Sequence, residues 1–252
     1  MVNETDLDAN PGLVPDPEDD PHTRVRAWGS VELTMLFPPF GGPGASGDGV
    51  RAAHDPVRAR QVVESLGTVE EVLEQLPDRA WEELSAPEVR ADLDYVAVGC
   101  WGNVTRIIDP ALASDLLANC MTREMARQRA RHPQARIVGS VDLSYGNAYL
   151  EDEVALPGVE NVRVFGWDCD EDDDWEVYGD PEEVLRVLGV DRAAAAEAGF
   201  DLDDEVSERD WPALGRFALE GFGPRLGQLV SVFRVRHTSG AIFERDEVWI
   251  DR

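Results

Sequence analysis

The chain has 252 residues, of which 43% are hydrophobic and 29% are charged. This apolar content can form the core of one large domain or of two small ones. Its 23 Lys+Arg positions are all arginine, and 51 Asp and Glu residues bring the formal net charge to −28. Nucleic acids and anionic membranes both require a positive face, so we expect neither as a partner. A field of this sign attracts basic proteins, so we expect a basic protein partner.

The acidity also has a more general interpretation. A large negative charge keeps a protein in solution and is common in salt-adapted cells. An Arg-only, Ala-rich composition can simply reflect high-GC coding. The composition therefore leaves two alternatives open: a charge selected for one partner, or a structural or housekeeping domain of a salt-adapted cell.

The cysteine pattern and the N-terminus both bear on location. Cys100, Cys120 and Cys169 are odd in number and widely spaced, which does not suit a disulfide framework and fits free thiols in a reducing compartment. The first ten residues, MVNETDLDAN, lack the basic and apolar regions of a signal peptide. No apolar run is long enough to span a bilayer. We therefore expect a cytoplasmic protein.

Residues 1–22 are rich in Asp, Pro and Asn, which predicts a disordered acidic tail. We expect residues 23–252 to form a single domain, with a possible subdivision near residues 190–206. A short β-type run over 31–37 ends at two prolines, and Asp55-Pro56 starts a helix. A capping box, Thr68-x-x-Glu71, predicts a second helix, and residues 79–84 predict further helix.

From residue 95, the sequence pattern changes from that of helices to that of β-strands. Two strands are predicted around Gly102-Asn103, a helix from Asp109-Pro110, and three strands over 135–143, 147–156 and 160–168. Asp180-Pro181 starts another helix, an alanine-rich turn follows, and Ser207-x-x-Asp210 caps a helix that Gly223-Pro224 ends. Residues 226–237 and 241–250 predict a C-terminal β-hairpin. Strands that follow one another in clusters favour antiparallel pairing. The fold class is therefore α+β, with mostly antiparallel sheet and several short helices.

A glycine-rich loop at residues 42–47 matches the letters G-x-G-x-x-G. A dinucleotide site also needs a helix that opens at the motif, whereas here Pro43 interrupts the glycines and the helix opens only at Asp55. A phosphate-binding loop of the Walker type needs a lysine, which the chain lacks. We predict a flexible loop and no cofactor.

A run of acidic residues flanked by aromatic residues is the clearest candidate interaction surface. It resembles the start of an EF-hand loop, but Asp173 stands where that loop needs glycine and Gly179 where it needs a bidentate glutamate. A solvated loop, a docking patch for a basic partner and a metal site are all open, and we favour the docking patch as a functional interpretation. Its residues are Trp167, Asp168, Asp170, Glu171, Asp172, Asp173, Asp174, Trp175 and Tyr178.

The histidines and the clustered arginines carry weaker signals. His22, His54, His132 and His237 are far apart, so we expect surface residues and no metal ligands. The arginine cluster is predicted to pair with acids and to complement a helix dipole. Its functional alternative is an anion or phosphate site. The cluster comprises Arg123, Arg127, Arg129, Arg131 and Arg136.

No complete catalytic motif is present, so we predict no catalytic residue, no cofactor and no metal. The leading hypothesis is a non-enzymatic acidic interaction protein that binds and neutralises a basic protein partner, as an immunity or inhibitor protein does. One alternative is a metal-dependent hydrolase that uses the carboxylates of residues 168–174. The other is the structural or housekeeping domain of a salt-adapted cell.

Overall fold

The computed structural model describes residues 20–41, 52–114, 120–144, 146–168, 175–223 and 225–250. Across these ranges ten strands form an antiparallel sheet that is accompanied by six α-helices, which confirms the α+β class. The strands are β1 (Trp28–Leu36), β2 (Val69–Gln75), β3 (Arg79–Ala80), β4 (Tyr95–Trp101), β5 (Val104–Ile108), β6 (Arg136–Ser144), β7 (Ala148–Ala155), β8 (Val162–Asp168), β9 (Glu176–Tyr178) and β10 (Leu229–His237). The helices are α1 (Pro56–Val63), α2 (Cys120–Arg131), α3 (Pro181–Leu188), α4 (Arg192–Glu197), α5 (Trp211–Ala218) and α6 (Ser239–Trp249).

The strand order is β2-β10-β4-β5-β1-β6-β7-β8-β9, and β3 pairs with β10 as well. Neighbours in the chain form the hairpins β4–β5, β6–β7 and β7–β8, as their alternating sequences predict. The late strand β10 lies between β2 and β4. Its apolar residues from Val230 to Val235 are buried because a core packs on each face of the sheet.

The sheet has a core on each face, because successive residues of a strand point to opposite sides. The first core includes Leu33, Ile137 and Phe233 of the sheet, and buried residues of α1, α2 and α6 pack in it. The second core includes Val138 and Val232, and buried residues of α3, α4 and α5 pack in it.

The Asp-Pro helix starts are confirmed for α1 and α3. Asp55 accepts hydrogen bonds from the backbone N–H groups of Val57 and Arg58, and Asp180 accepts from that of Glu182. The third start is different, because Asp109-Pro110 opens only a short 3₁₀ turn, and the helix expected there begins at Cys120. The cap of α5 is Asp210, whose side chain accepts from Ala213, and not Ser207.

Residues 69–75 form strand β2 and not the helix that the capping box predicts. The strand pairs with β10 through two register irregularities, so its valines at helical spacing both meet the neighbouring strand. Pairing along a buried strand outweighs the weak local preference. The helix expected over 79–84 is likewise replaced by β3 and a 3₁₀ turn over Trp81–Glu83.

The C-terminal hairpin has its first strand, β10, but its second half is helix α6. Thr238 caps this helix by accepting a hydrogen bond from the N–H of Ala241 at 3.3 Å. The buried Trp249 donates from its indole N–H to the carbonyl of Pro110 at 3.0 Å. A threonine at the cap position is a helix signal, and the β-branched residues that follow concealed it. The predicted tail lies almost wholly outside the described residues, as does the glycine-rich loop from residue 42 to 51.

Candidate functional site

The arginines of the described ranges are turned toward the protein itself. Arg129, Arg131 and Arg209 donate to backbone carbonyl oxygens, and twelve others form ion pairs. Because the carboxylates outnumber the arginines more than twofold, the surplus negative charge remains on the surface. The ion-paired arginines are Arg60, Arg90, Arg106, Arg127, Arg136, Arg163, Arg186, Arg192, Arg216, Arg234, Arg236 and Arg245.

One edge of the sheet is both acidic and open. Residues 69–80, here called the edge segment, comprise β2, a short link and β3, and they run along one side of β10. Leu76 continues this pairing, since its N–H donates to the carbonyl of Val232 at 2.8 Å. Among the described strands, none pairs with the outer side of β2. An unpaired outer side presents backbone donors and acceptors to solvent.

The surroundings of the edge segment concentrate the negative charge. Residues 64–94 contain ten carboxylates and two arginines. Within the edge segment, Glu70, Glu71, Glu74 and Asp78 are exposed, and so is Leu73, at 41%. The pairs Arg236–Glu71 at 2.6 Å and Arg234–Glu74 at 3.3 Å offset part of this charge. Ten carboxylates against two arginines in residues 64–94 still leave these surroundings acidic after the two pairs are counted.

A cleft of about 670 Å³ lies next to this edge on the second face of the sheet, and it is lined by Trp81, Tyr95 and Glu32 among others. Arg106 lies with its guanidinium carbon 4.4 Å from the Trp81 ring centroid and forms an ion pair with Glu32. The Nε of Arg106 is the only buried side-chain nitrogen or oxygen of the described residues that lacks a hydrogen-bond partner. The cleft therefore combines an aromatic wall with a charged floor, as ligand and peptide sites do.

A polar row continues from this cleft across the sheet. Glu32 of β1, Ser140 of β6 and Asp152 of β7 are cross-strand partners. The pKa of Asp152 is raised to about 7: burial is the main cause, the charges of Glu151, Asp210 and Asp142 add to it, and the hydrogen bond with Ser140 opposes them. A carboxyl with a pKa near neutrality can accept or donate a proton at working pH.

His54, Ser231 and Asp78 lie together but are arranged differently from a hydrolytic triad. Nδ1 of His54 accepts a hydrogen bond from the N–H of Cys100 at 3.2 Å. Nε2 therefore carries the proton and donates to Ser231 Oγ at 2.9 Å, and Ser231 donates to Asp78 at 2.8 Å. A triad histidine accepts the serine proton, which this tautomer cannot do. The buried Ser231 thus links the edge segment to the sheet.

A second polar cluster is buried at the opposite end of β10, and it corrects the expectation that every histidine lies on the surface. His237 is 1% exposed and contacts Asp109, which also accepts a hydrogen bond from the hydroxyl of Thr68 at 2.5 Å. Arg245 pairs with Asp94 at 2.7 Å and with Asp246 at 2.9 Å. The cluster joins β10 and α6 to the 3₁₀ turn after Asp109, so it stabilises the fold.

The described aromatic residues of the predicted acidic and aromatic surface lie at the far end of the sheet, on β8 and β9 or next to them. Trp167 packs on Tyr149 with ring centroids 5.2 Å apart and contacts the first core, whereas Trp175 contacts the second core. Tyr178 is 53% exposed and stacks on Phe165. The two tryptophans therefore flank opposite faces of the sheet. Asp170, Glu171, Asp172, Asp173 and Asp174 lie outside the described residues, and only the backbone of Asp168 is described.

The predicted arginine cluster is dispersed by the fold. Arg127 pairs with Glu124 and Arg136 with Glu220, as internal pairing predicts. Arg129 holds Asn161 and two carbonyl groups, and Arg123 contacts the Cys120 sulfur at 3.1 Å. Arg131 alone among the five faces a pocket that also contains another arginine.

The profile of a protein family described as a family of unknown function (DUF6333) matches residues 14–252. The chain belongs to this family. No curated protein and no solved structure matches the chain.

The polar sites of this DUF6333 chain arise from pairing between distant strands, which sequence spacing does not show. Alternation in β1, β6 and β7 could have indicated that Glu32, Ser140 and Asp152 face one side, but not that they are neighbours. Within the described ranges, no group of three or more His, Cys, Asp or Glu residues is placed to hold a metal ion. Of the helices described, none is long and apolar enough to cross a membrane.

Proposed function

We propose that this protein is a non-catalytic acidic interaction protein that binds and neutralises a basic protein partner, as an immunity or inhibitor protein does. The observation that carries the proposal is the division of charge between interior and surface. The arginines hold neighbouring carboxylates and carbonyl groups, whereas surplus carboxylates face solvent. Such a surface steers and accelerates the approach of a cationic protein.

The edge segment is the surface that best suits docking. It combines exposed carboxylates with the open backbone of β2 and the exposed Leu73. An extended basic segment of the partner can add to such an edge by backbone hydrogen bonds, with its arginine or lysine side chains on the glutamates. The adjoining cleft, with Trp81 and Tyr95 in its lining, offers aromatic anchoring beside it.

A second acidic stretch, residues 180–210, supports docking less well. Asp180, Asp191 and Asp210 cap helices, and their carboxylates are therefore already hydrogen-bonded. Glu182 and Glu183 pair with Arg192 and Arg186. The predicted run at 168–174 remains a separate candidate surface. Its described flanks, Trp167 on β8 and Tyr178 on β9, lie at the end of the strand order opposite to β2.

Capture from native lysate with matched variants tests the proposal. The edge variant carries Glu70→Gln, Glu71→Gln and Glu74→Gln, and the control carries Glu197→Gln, Glu205→Gln and Glu208→Gln, which removes the same charge from other exposed positions. We expect wild type and control to retain a basic protein, identified by mass spectrometry, at about 0.05 M salt and to release it at about 0.3 M. The edge variant should not retain it.

A third variant, with Asp170→Asn, Asp172→Asn and Asp174→Asn, tests the predicted run. Loss of the partner with this variant alone would move the docking surface to the 168–174 run. The proposal fails if no basic protein is retained, or if all variants retain it as wild type does.

The hydrolase alternative predicts stoichiometric divalent metal in the purified protein, which elemental analysis measures. The salt-adapted alternative predicts that the fold needs molar salt.

A further inference from the structure

One pocket of the described structure is lined by basic and neutral residues, although the chain as a whole is strongly acidic. It measures about 580 Å³ and lies between α1, α2 and the adjoining ends of β1 and β5. Its lining includes Arg58, Arg131 and His132, and its other side chains are neutral. In a chain with 51 acidic residues and 23 arginines, a pocket lined by three basic residues and no described carboxylate is a candidate ligand-binding site. We call it the basic pocket.

The basic side chains come from two helices and are held by neutral groups. Arg58 of α1 donates to the Gly102 carbonyl at 2.5 Å and to the Thr105 hydroxyl at 2.8 Å. Arg131, the last residue of α2, donates to the Ser65 carbonyl at 2.5 Å. Among the described residues, no carboxylate forms an ion pair with either arginine. A cation at the end of α2 complements the helix dipole, but that local cause does not account for Arg58.

The pKa of His132 indicates that positive charges lie close together in the basic pocket. Burial lowers the pKa of His132, and the charges of Arg131 and Arg58 lower it further. The Phe37 ring meets the imidazole edge-on at a centroid distance of 5.1 Å, and the Arg58 guanidinium carbon lies 4.8 Å from the same ring. The basic groups thus lie around an apolar wall, and an anion bound between them would offset the repulsion that lowers the pKa of His132.

We propose that the basic pocket binds a phosphate monoester, with its phosphate between Arg58, Arg131 and His132 and its organic part against Phe37. Guanidinium groups match the geometry of phosphate oxygens and donate charge-assisted hydrogen bonds to them. The volume is that of a small-molecule site, and such sites combine apolar walls with a few fixed polar groups. This site is independent of the edge segment and of the proposed partner.

Calorimetric titration with phenyl phosphate and with inorganic phosphate at constant ionic strength tests the proposal. We expect saturable binding of one phenyl phosphate per chain, several-fold tighter than inorganic phosphate. Arg131→Gln should weaken it at least about tenfold, the loss of one charge-assisted contact. Arg60→Gln, an exposed arginine of the same helix as Arg58 that pairs with Glu64, should leave it unchanged.

A second readout keeps the test decisive if Arg131→Gln folds poorly. In the wild-type protein, NMR titration should show that phenyl phosphate raises the pKa of His132, whereas the ring resonances of the exposed His22 should not respond to the ligand. Absence of saturable binding, equal affinity for the two probes, an equal loss in Arg60→Gln, or an unshifted His132 would each overturn the assignment.

Discussion

Nε2 of His237 lies 3.1 Å from Oδ1 of Asp109, and both side chains are fully shielded from solvent. Burial alone would lower the pKa of His237, but the charge of Asp109 and the hydrogen bonds to Asp109 and Asp94 raise it. Burial alone would raise the pKa of Asp109, but His237, Thr68 and the N–H of Ala111 lower it. These shifts favour the imidazolium–carboxylate form of the pair, which lies between β10 and the turn after β5.

Asp109→Ala should destabilise the fold by about 3 kcal/mol, because it removes one partner of the buried His237–Asp109 pair and leaves the Thr68 hydroxyl without its acceptor. Urea unfolding followed by circular dichroism measures the change. Asp92→Ala, which removes a less buried carboxylate that accepts from the N–H groups of Glu88 and Val89, should cost about 1 kcal/mol. Equal losses of stability in the two variants would show that the His237–Asp109 pair contributes no more than the hydrogen bonds of Asp92 do.

The same pair predicts a pH window for stability. The raised pKa of His237 gives a contribution that is complete below the unfolded value of about 6.5 and is lost as pH rises through the folded pKa. The lowered pKa values of Asp109 and Asp94 give contributions that are present above about 3.8 and are lost as pH falls. We expect His237→Gln to remove the alkaline decline and to leave the acid decline in place. An alkaline decline that is unchanged in His237→Gln would contradict the assignment.

Asp152→Asn should stabilise the protein at pH 8. The raised pKa of Asp152, about 7 against 3.8 when unfolded, means that the folded state binds the extra proton, so stability falls as pH rises between these values. An asparagine can keep the contact with Ser140 without the charge. Discounted for the partial exposure of the side chain, the gain is about 2 kcal/mol at pH 8 and near zero at pH 4. Asp204→Asn, at an exposed position that does not act on the pKa of Asp152, serves as the control, and an equal gain there would show a general charge effect.

Gly29→Ala should prevent folding. Gly29 has φ of 149°, and an added Cβ would lie 1.8 Å from the carbonyl oxygen of Asp142 in the paired strand β6. Backbone cannot move aside as a flexible side chain can, so β1 would separate from β6. Gly240→Ala in α6 meets nothing within 4 Å and should stabilise by about 0.5 kcal/mol. Thermal unfolding of the two variants checks both, and a folded Gly29→Ala protein would contradict the described pairing of β1 with β6.

The elements that could be predicted from the sequence are those whose signal is local. The hairpin around Gly102 and the three strands before Asp168 carry their alternation and turn residues within a few positions. Strand β2 could not be predicted, because its valines at helical spacing reach β10 only through two irregularities of register. Helix α6 was concealed by β-branched and aromatic residues.

The candidate sites were harder to predict for the same reason. The edge segment becomes an edge only because β10, which begins 154 residues after β2 ends, occupies its inner side. His237 was expected on the surface because it ends an apolar run, and it is buried because Asp109 and Arg245 reach it from other elements. Basic residues near residue 131 suggested an anion site, but Arg58 joins them only through the packing of α1 beside α2.

The most direct test of the central claim, that an outward acidic field recruits a basic partner, is the association rate constant of the captured partner as a function of ionic strength. Stopped-flow measurement between about 0.02 M and about 0.3 M salt should show this rate constant falling by at least about tenfold, with a much smaller change in the dissociation rate. The edge variant should start from a lower rate at low salt and depend less on salt than the control variant, which has the same net charge. An association rate that is independent of salt in the wild-type protein would contradict the account.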